Sequence, residues 1–487
     1  MTAPQQSFLS TRRGILTLAL LCSVAFIDFM DASIVNIALP SIRTDLHVSV
    51  QDLQWVPSGY LLTYGGFMLL GGRMADLLGR RRILVAGTAV IAIASLIGGF
   101  SQSAGLLVAA RLLQGVGAAM MLPAALSILT TTFKEGSDRN TALGVWGGVA
   151  GLASAAGVLL GGVLTEGPGW RWVLFVYPPI CLLVLGGIFA LVPSDNRRVK
   201  LANFDLPGAV LATGGMLLLV YALVKAPDVG WGATRTVAEL AGAAVLLGAF
   251  LINEQRNRNP LLPLSIFRIK GLGAADATQL IGIAGFLAMF FFLTLYMQNV
   301  LGYSPIQTGV AYLPVCFGVA IAAGVTSQLL ARVGTRFLIV SGALVAAGGV
   351  YWLAQIPVHG SYAADLLPGL VIMSVGLGMV FVSVTTAANA GVPADKAGLA
   401  AALLNASQQV GGALGLAIFT AIATSRTNHL LAAHTATPDA LTSGFHRALL
   451  ASSIFLLAAA VIGLRATNTR GEGAEPVTDA QPEPALS

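Results

Sequence analysis

Charged side chains are scarce in this sequence, since Asp, Glu, Lys and Arg together make up 10% of its 487 residues. A soluble protein carries about 25% charged residues, because its surface must be hydrated. Apolar residues instead make up 56% of the chain, and the mean hydropathy is +0.81. The composition excludes an ordinary soluble protein and predicts an all-α, polytopic protein of the lipid bilayer.

The signatures of several enzyme classes are also missing. Cys22, Cys181 and Cys316 all fall inside apolar segments, so neither a disulfide framework nor a zinc site is expected. The pattern G-x-x-x-x-G-K-S/T is absent, which argues against direct use of ATP. The pattern H-E-x-x-H is absent too, and the five histidines lie in loops or at segment ends. We expect no metal, no cofactor and no enzymatic activity.

Fourteen apolar segments approach the length of about 20 residues that a helix needs to cross a bilayer. They are 14–39, 55–75, 82–100, 106–129, 141–164, 173–192, 207–224, 237–253, 273–295, 308–330, 336–353, 366–388, 399–423 and 446–464. With a cytoplasmic N terminus, 20 of the 27 Lys and Arg residues fall in cytoplasmic segments. Because cationic loops resist translocation, this bias predicts a cell-membrane protein with both termini cytoplasmic, and no nucleic-acid partner.

Weak internal repetition divides the chain. GGRMADLLGRRR (71–82) has a degenerate counterpart in SQLLARVGTRF (327–337), and GVLLGGVL (157–164) has one in QVGGALGLAIF (409–419). Both pairs align if the first six and last six helices form equivalent bundles with two helices inserted between them. The predicted units are a six-helix bundle (1–200), an inserted helix pair with its linker (201–270), a second six-helix bundle (271–466) and a disordered tail (467–487).

Two aspartates interrupt the first apolar segment, in FIDFMDASIVNIALP (26–40). Asp28 and Asp31 are three residues apart, so they share one helix face, roughly 20 and 25 Å from the cytoplasmic end. An ionised carboxylate is costly at that depth, and both should face a bundle interior or a water-filled cavity. Such a group can carry a proton or exchange it for a cationic substrate. The alternative is a structural hydrogen bond to a neighbouring helix.

Arg111 is the one Lys or Arg more than three residues from the end of a predicted span, and it is the expected counter-charge for these aspartates. A buried charge must be paired or hydrated. Arg111 therefore either forms a static salt bridge or takes part in proton transfer. Gln114 lies one turn along the same face. Asp276, early in the ninth helix, is either a third titratable site or an interfacial residue.

Further polar and aromatic side chains are candidates for the substrate path, with Asp28 as the partner of a cationic group. The polar candidates are Gln279, Gln298, Asn389, Asn405, Gln408 and Gln409. The aromatic candidates, which offer surface to a lipophilic cation, are Phe26, Tyr60, Trp146, Phe286, Phe290 and Tyr312. Aromatic residues at helical spacing are more often core or lipid-facing, so each one is a candidate only.

The loop between the second and third spans combines one acid with three consecutive arginines. Gly72 and Gly79 allow a tight turn and close helix approach. Asp76 with Arg80 or Arg81 predicts an ionic latch between the bundles that breaks when they rock. The alternative is a loop that only sets topology, for which the arginines suffice.

GRMADLLGRRR (72–82) resembles the signature loop of the major facilitator superfamily. RLLQGVGAA (111–119) is similar to that superfamily's fourth-helix motif, and DASIVNIALP (31–40) to the first-helix motif of its fourteen-helix drug:proton antiporter branch. Further matches extend to AALLNASQQVGGALG (401–415). The resemblance implies two six-helix bundles plus two inserted helices, transport by alternating access, and a part for Asp31 and Arg111 in proton transfer.

Three positions depart from the branch's pattern. Its fifth-helix motif normally has Gly-Pro before the paired glycines, and Val158 replaces that proline here. The glycines Gly151, Gly157, Gly161 and Gly162 remain, and they predict a close-packed, flexible seam. Tyr177 takes the place of an asparagine that usually follows WRW (170–172). Asp28 is not part of the usual first-helix motif.

We therefore predict a monomeric secondary active exporter that exchanges protons for amphipathic, cationic drugs or toxic compounds. A lipid or secreted-metabolite exporter on the same scaffold is the alternative within this class. A non-transporting membrane sensor or scaffold is the alternative outside it, although such a protein would not need buried carboxylates opposite an arginine. A channel is disfavoured, since rocking repeats with a latch serve occlusion.

Overall fold

The computed structural model describes residues 9, 11–133, 137–193, 205–257, 260–393 and 397–470. The described part contains α-helices, one 3₁₀ turn (Leu264–Arg268), one π-helical turn (Tyr362–Leu366) and no β-strand. The helices are α1 (Arg12–Leu46), α2 (Val50–Leu53), α3 (Trp55–Leu78), α4 (Arg80–Gly99), α5 (Ala104–Thr132), α6 (Ser137–Glu166), α7 (Trp172–Phe175), α8 (Tyr177–Leu191), α9 (Leu206–Val229), α10 (Thr234–Arg256), α11 (Leu272–Asn299), α12 (Pro305–Ala311), α13 (Leu313–Val333), α14 (Thr335–Leu353), α15 (Leu367–Asn389), α16 (Ala397–Ala432) and α17 (Thr437–Gly463).

Thirteen helical segments of the described residues are long and apolar enough to cross a membrane. They coincide with thirteen of the fourteen predicted spans. The remaining span is α3, whose 24 residues extend about 36 Å but include many glycines and tyrosines. Because α3 packs between α5 and α16, protein rather than lipid surrounds much of it. The predicted fold is confirmed as an all-α membrane protein with two six-helix bundles and an inserted helix pair.

The two bundles follow from which helices pack together. In the first, α5 packs on α3 and α4, α6 packs on α1, and α8 packs on α4. In the second, α11 packs on α16 and α17, and α15 packs on α13 and α14. The inserted helices α9 and α10 pack on each other, and α9 also contacts α3 and α16, one helix of each bundle. The inserted pair therefore lies along one seam between the bundles.

The turns within the two repeated loop sequences are equivalent. Gly79, between α3 and α4, has φ 105°, and Gly334, between α13 and α14, has φ 80°. These left-handed conformations favour glycine. Arg81 donates to the Phe189 carbonyl near the end of α8 (3.2 Å), while Arg336 donates to the Ala466 carbonyl just after α17 (3.2 Å). Each arginine thus ties a turn to the last helix of its own bundle.

The second turn is also held by the chain that follows α17. Thr335 donates its backbone N–H to the Thr469 carbonyl (2.9 Å), and Asn468 accepts from the Arg336 N–H (3.2 Å). Residues 467–470, which the sequence assigned to a disordered tail, are therefore bonded to the bundle. Residues 471–487 lie outside the described part of the chain.

Contacts between the bundles join them where α1 ends, which we call the Pro40 end. Gln298 of α11 donates to the Ile37 carbonyl of α1 (3.0 Å), and the Ile306 N–H of α12 donates to Glu166 of α6 (3.2 Å). A β-carbon placed on Gly162 would lie 2.8 Å from the Ile306 Cα. The backbones of α6 and α12 therefore touch here.

The opposite end, where α1 begins, is called the Arg12 end, and the bundles are less engaged there. Around Gly144, Gly147, Gly148 and Gly151 of α6, an added β-carbon would meet no atom within 4 Å. Leu152 on the same half of α6 is 69% exposed. In the described residues, α5 makes no extended contact with α15 or α16. On the side of α5 and α6, the bundles are joined at the Pro40 end and loosely packed at the Arg12 end, whereas α3 and α16 stay in contact on another side.

Candidate functional site

Asp28 and Asp31 lie on one face of α1, about 24 and 29 Å along the helix from Arg12. Their side chains are 6% and 4% exposed, so neither faces lipid. The three-residue spacing that places them on one face was read from the sequence. Their partners, however, come from α3 and α5.

Asp31 forms a two-pronged ion pair with Arg111 of α5. The Arg111 Nη1 lies 2.9 Å from Asp31 Oδ1, and Nη2 lies 2.7 Å from Oδ2. The Nη1–Oδ1 contact is a hydrogen bond, whereas Nη2 and Oδ2 are in ion-pair contact only. Charge-assisted contacts of this kind are short and stronger than those between neutral groups. Arg111 is only 1% exposed, so the pair is fully enclosed by protein.

The remaining contacts of Arg111 hold its guanidinium rigidly. Its Nε donates to the Val56 carbonyl of α3 (3.0 Å), and Nη1 also donates to Gln114 (2.9 Å). Gln114 donates in turn to Ser95 of α4 (2.7 Å). The guanidinium lies 4.5 Å from the centre of the Tyr60 ring, within cation–π range. Movement of Arg111 would therefore disturb α1, α3, α4 and α5 together.

Asp28 has different partners, although it is one turn from Asp31. It accepts hydrogen bonds from the hydroxyls of Tyr60 (3.0 Å) and Tyr64 (2.9 Å) on α3. The two tyrosines are four residues apart, so both hydroxyls reach the same carboxylate. No cation pairs with Asp28 in the described part of the chain. One carboxylate is thus neutralised by a cation, and the other is held by neutral donors.

Tyr64 also connects this site with the second bundle. The side chain of Gln409 on α16 lies against the Tyr64 hydroxyl. On the next residue of α3, a β-carbon placed on Gly65 would lie 3.0 Å from Gln409 Cβ. Asp28 is therefore linked through the Tyr64 side chain to the second bundle.

Three residues of the site were not singled out for it from the sequence: Tyr64, Ser95 and Tyr177. The spacing of Tyr64 from Tyr60 was a signal that could have found it. Tyr177, noted only as a departure from the family pattern, is fully buried beside Asp31 and Arg111, and its hydroxyl makes no well-formed hydrogen bond. Nothing in the sequence pattern distinguished Ser95.

The glycines of α6 pack against the aspartate-bearing part of α1. A β-carbon on Gly157 would collide with Ser33 Oγ and lie 2.8 Å from the Met30 carbonyl oxygen. One on Gly161 would lie 2.7 Å from the Ile34 carbonyl oxygen. Gly162 instead contacts α12, and Gly151 contacts nothing within 4 Å. Three of the four predicted glycines therefore form close seams.

The predicted substrate residues of the second bundle form two groups. Phe286, Phe290 and Tyr312 are a contiguous aromatic cluster with ring centres 4.9 and 4.8 Å apart. Gln279 donates to Gln408 (3.2 Å), joining α11 to α16. Gln298 belongs to neither group, since it bonds α1 at the Pro40 end. The described contacts do not join either group to the aspartates.

Other predicted residues are not brought to the site. Asn389 is exposed and donates to the Thr385 carbonyl within its own helix (2.8 Å). Asn405 likewise donates to the Ala401 carbonyl (2.9 Å). Phe26 and Trp146 are half-buried and pack against the apolar core. These four residues remain candidates for the substrate path, and none of their described contacts reaches Asp28 or Asp31.

The predicted latch is only partly described. Arg80 donates to Thr131 of α5 (2.8 Å) and Arg81 to α8, so both bonds stay inside the first bundle. The side chain of Asp76 lies outside the described residues. Gly79 provides the expected turn. The close approach of α3 to α5 is at Gly71 rather than Gly72, because an added β-carbon there would collide with the Ala119 carbonyl.

The family model of the Major Facilitator Superfamily matches residues 21–416, which include every helix of this site. The chain belongs to this superfamily. It is a multi-span membrane transporter and not an enzyme. The superfamily resemblance read from the loop and helix motifs is therefore confirmed.

Curated relatives of this superfamily are resistance and export proteins. The chain is 39% identical over 475 residues to the puromycin resistance protein pur8 of Streptomyces alboniger, covering 96% of this chain and 94% of the relative. It is 38% identical to the cephamycin export protein CmcT of Amycolatopsis lactamdurans (91% of each). It is 36% identical to the tetracenomycin C resistance and export protein of Streptomyces glaucescens (82% and 73%).

Solved structures support the fold at lower identity. A bacterial homologue of the human lysosomal transporter Spinster, in an inward-facing and occupied conformation, superposes with a TM-score of 0.69 at 17% identity. The match covers 93% of this chain and 97% of that one. The POT-family transporter PepTSo gives a TM-score of 0.63 at 15% identity, with 92% of this chain and 98% of that one covered. At these identities the likeness concerns the fold alone.

Tyr64→Phe is expected to lower the transport rate about tenfold. The change removes one donor to the Asp28 carboxylate, and a hydrogen bond to a charged group contributes about 1.5–3 kcal/mol. It also breaks the connection between Asp28 and Gln409. Initial transport rates in reconstituted vesicles measure the effect. Tyr351→Phe, at a tyrosine that is 52% exposed, is the control and should keep the parent's rate. A Tyr64→Phe rate equal to the control's would exclude a role for this hydroxyl.

Proposed function

We propose that this transporter is a proton-coupled exporter of antibiotics or other amphipathic compounds. The observation that carries the proposal is the division between the two carboxylates. Asp31 is paired with a buried arginine, and Asp28, one helical turn away, is held by two phenols. Buried acids in a transporter interior are costly to maintain and mark ion pathways.

Protonation of Asp31 supplies the coupling step. A proton on Asp31 removes the negative charge that faces Arg111 and weakens the ion pair. Arg111 then needs another partner, because an unpaired buried cation is strongly destabilising. Arg111 joins α5 directly to α1 and α3, and through Gln114 to α4, so its rearrangement changes the packing of these helices. Asp28 and Asp31 act as a coupled pair, so a proton or cation at one affects the other.

Alternating access follows from the uneven contacts between the bundles. On the side of α5 and α6, the bundles are joined at the Pro40 end and loose at the Arg12 end, which supports the Arg12 end as the open side. The distribution of Lys and Arg assigns that side to the cytoplasm of the cell membrane. Substrate enters there, and rocking about the site then opens the Pro40 end.

The substrate class is suggested by the relatives and by the side chains that line the second bundle. Relatives carry names for resistance to or export of puromycin, cephamycin and tetracenomycin C. The half-buried Phe286 and Phe290 offer aromatic surface, with the buried Tyr312 packed behind Phe290. Asp28 offers a negative charge for a cationic group. We infer amphipathic, predominantly cationic substrates.

Substrate-driven proton release tests the proposal. Purified protein in proteoliposomes, challenged with a panel of antibiotics and lipophilic cations, should release protons on addition of a transported compound. An imposed pH gradient should drive uphill transport of the same compound. Transport with neither a pH response nor dependence on the gradient would contradict proton coupling. Transport of lipids or endogenous metabolites only would favour the alternative substrate class.

A further inference from the structure

Asp276 is a second buried acidic position, in the other bundle and apart from Asp28 and Asp31. It lies on the second turn of α11, about 6 Å along the helix from Leu272. Its side chain is 4% exposed. An interfacial carboxylate so near a helix end would extend into water, and this one does not. The interfacial interpretation left open by the sequence is therefore disfavoured.

Neither carboxylate oxygen of Asp276 has a hydrogen-bond partner among the described residues. Its chain neighbour Ala275 belongs to an apolar cluster with Val384 of α15, Leu403 of α16 and Ala460 of α17. A buried polar group without partners is costly, and an ionised one far more so. The burial of Asp276 and the missing partners of both its oxygens therefore favour a neutral group at this position.

The elements packed on α11 supply no cation for Asp276. The ends of α15, α16 and α17 at this level read VSVTTAAN (382–389), LAAALLNASQQ (399–409) and LLAAAVIG (456–463), with no titratable side chain. The basic residues of the adjoining segments, Arg268, Lys270 and Arg465, are exposed and make no ion pair with it. Asp395 and Lys396 lie outside the described residues.

A polar strip continues from Asp276 along the seam between α11 and α16. These helices run parallel, since Gly411 packs at Leu280 and Gly415 at Ala284. Gln279 bonds to Gln408 across this seam, and Asp276 lies one turn before Gln279. The half-buried Asn405 lies one turn before Gln408. The strip is therefore a place where water can enter if the seam opens.

We propose that Asp276 is a second proton-binding site of this transporter. In this conformation the carboxyl group carries a proton. A bound proton needs neither extra space nor additional ligands, so it fits an apolar, enclosed position. When the α11–α16 seam opens, the O–H bond dissociates, water accepts the proton and the same water hydrates the carboxylate. The proposal rests on the proposed proton-coupled function, and it implies more than one proton site per molecule.

Infrared spectroscopy of the purified full-length protein tests whether the proton is present. At neutral pH, the carbonyl-stretch band of a protonated carboxylic acid should lose intensity in Asp276→Asn and keep it in Asp439→Asn, an exposed control. Because asparagine is a neutral isostere, the unfolding midpoint of Asp276→Asn should match the parent's. An unchanged band would overturn the proposal. A large drop in the midpoint would also overturn it, because it would indicate a charged, paired carboxylate.

Coupling is tested by the steady-state substrate gradient in proteoliposomes. With a pH step of one unit, each coupled proton multiplies that gradient about tenfold. Asp276→Asn should still export uphill, but to a gradient about tenfold smaller than that of the parent or of Asp439→Asn. The parent's gradient in Asp276→Asn would overturn the proposal. A parent with no dependence on pH would instead refute the proposed function, and the infrared result would still decide whether Asp276 holds a proton.

Discussion

Asp31→Asn is expected to abolish proton-driven uphill export, to the level of vesicles without protein. The variant removes the carboxylate whose two oxygens pair with the Arg111 guanidinium. It leaves a cation that is 1% exposed without a counter-charge. Breaking one partner of a buried pair costs about 3–5 kcal/mol, so the unfolding midpoint should fall as well. Export driven by an imposed pH gradient and thermal unfolding in detergent measure the two effects.

The double variant Asp31→Asn/Arg111→Gln separates coupling from stability. With both charges removed, most of the lost stability should return, because replacing a whole buried pair is often close to neutral. Uphill export should stay absent, since no carboxylate carries a proton at this position. An active double variant would show that the pair is only a structural bridge. Undiminished uphill export by Asp31→Asn would remove Asp31 from the mechanism.

Gly157→Ala is expected to lower the export rate at least tenfold and to reduce thermal stability. The added methyl group would collide with Ser33 Oγ and lie 2.8 Å from the Met30 carbonyl oxygen. Overpacking of this kind costs about 1–3 kcal/mol, because α6 must shift away from α1. Met30 and Ser33 flank Asp31 closely, so the shift displaces the ion pair. The measurements are export rate and unfolding midpoint.

Gly151→Ala is the matched control, on the same helix and with the same chemical change. An added β-carbon at Gly151 meets nothing within 4 Å, so this variant should keep the parent's rate and midpoint. If both variants behave alike, the effect belongs to helix flexibility rather than to the seam. A Gly157→Ala variant with the parent's activity would show that the seam with α1 does not need to be this close.

Two physical constraints made the membrane fold predictable from the sequence. Bilayer thickness imposes a length on every span, and the charge deficit of the chain leaves few other solutions. Most span boundaries agree with the helices. Differences occur where a helix leaves the bilayer, as in α1, which continues through Pro40 to Leu46. Apolar patterning predicts the length of a helix within lipid, but it does not predict how far the helix extends into water.

Composition also obscured one span and one connection. α3 is the least apolar of the predicted spans because its glycines and tyrosines serve contacts with α5, α16 and Asp28. Residues 467–470 looked like the start of a solvated tail, yet they bond to the α13–α14 turn. Both features depend on partners distant in the chain, which local composition does not reveal.

The sequence by itself determined that Asp28 and Asp31 share a face deep in a membrane helix and that a buried Arg111 needs a counter-charge. Helical periodicity and the cost of charge in lipid require both statements. Only the tertiary structure decided that Arg111 pairs with Asp31 and that Tyr60 and Tyr64 hold Asp28. That choice depends on the relative height and rotation of α1, α3 and α5, which packing across the whole bundle sets and no single segment encodes.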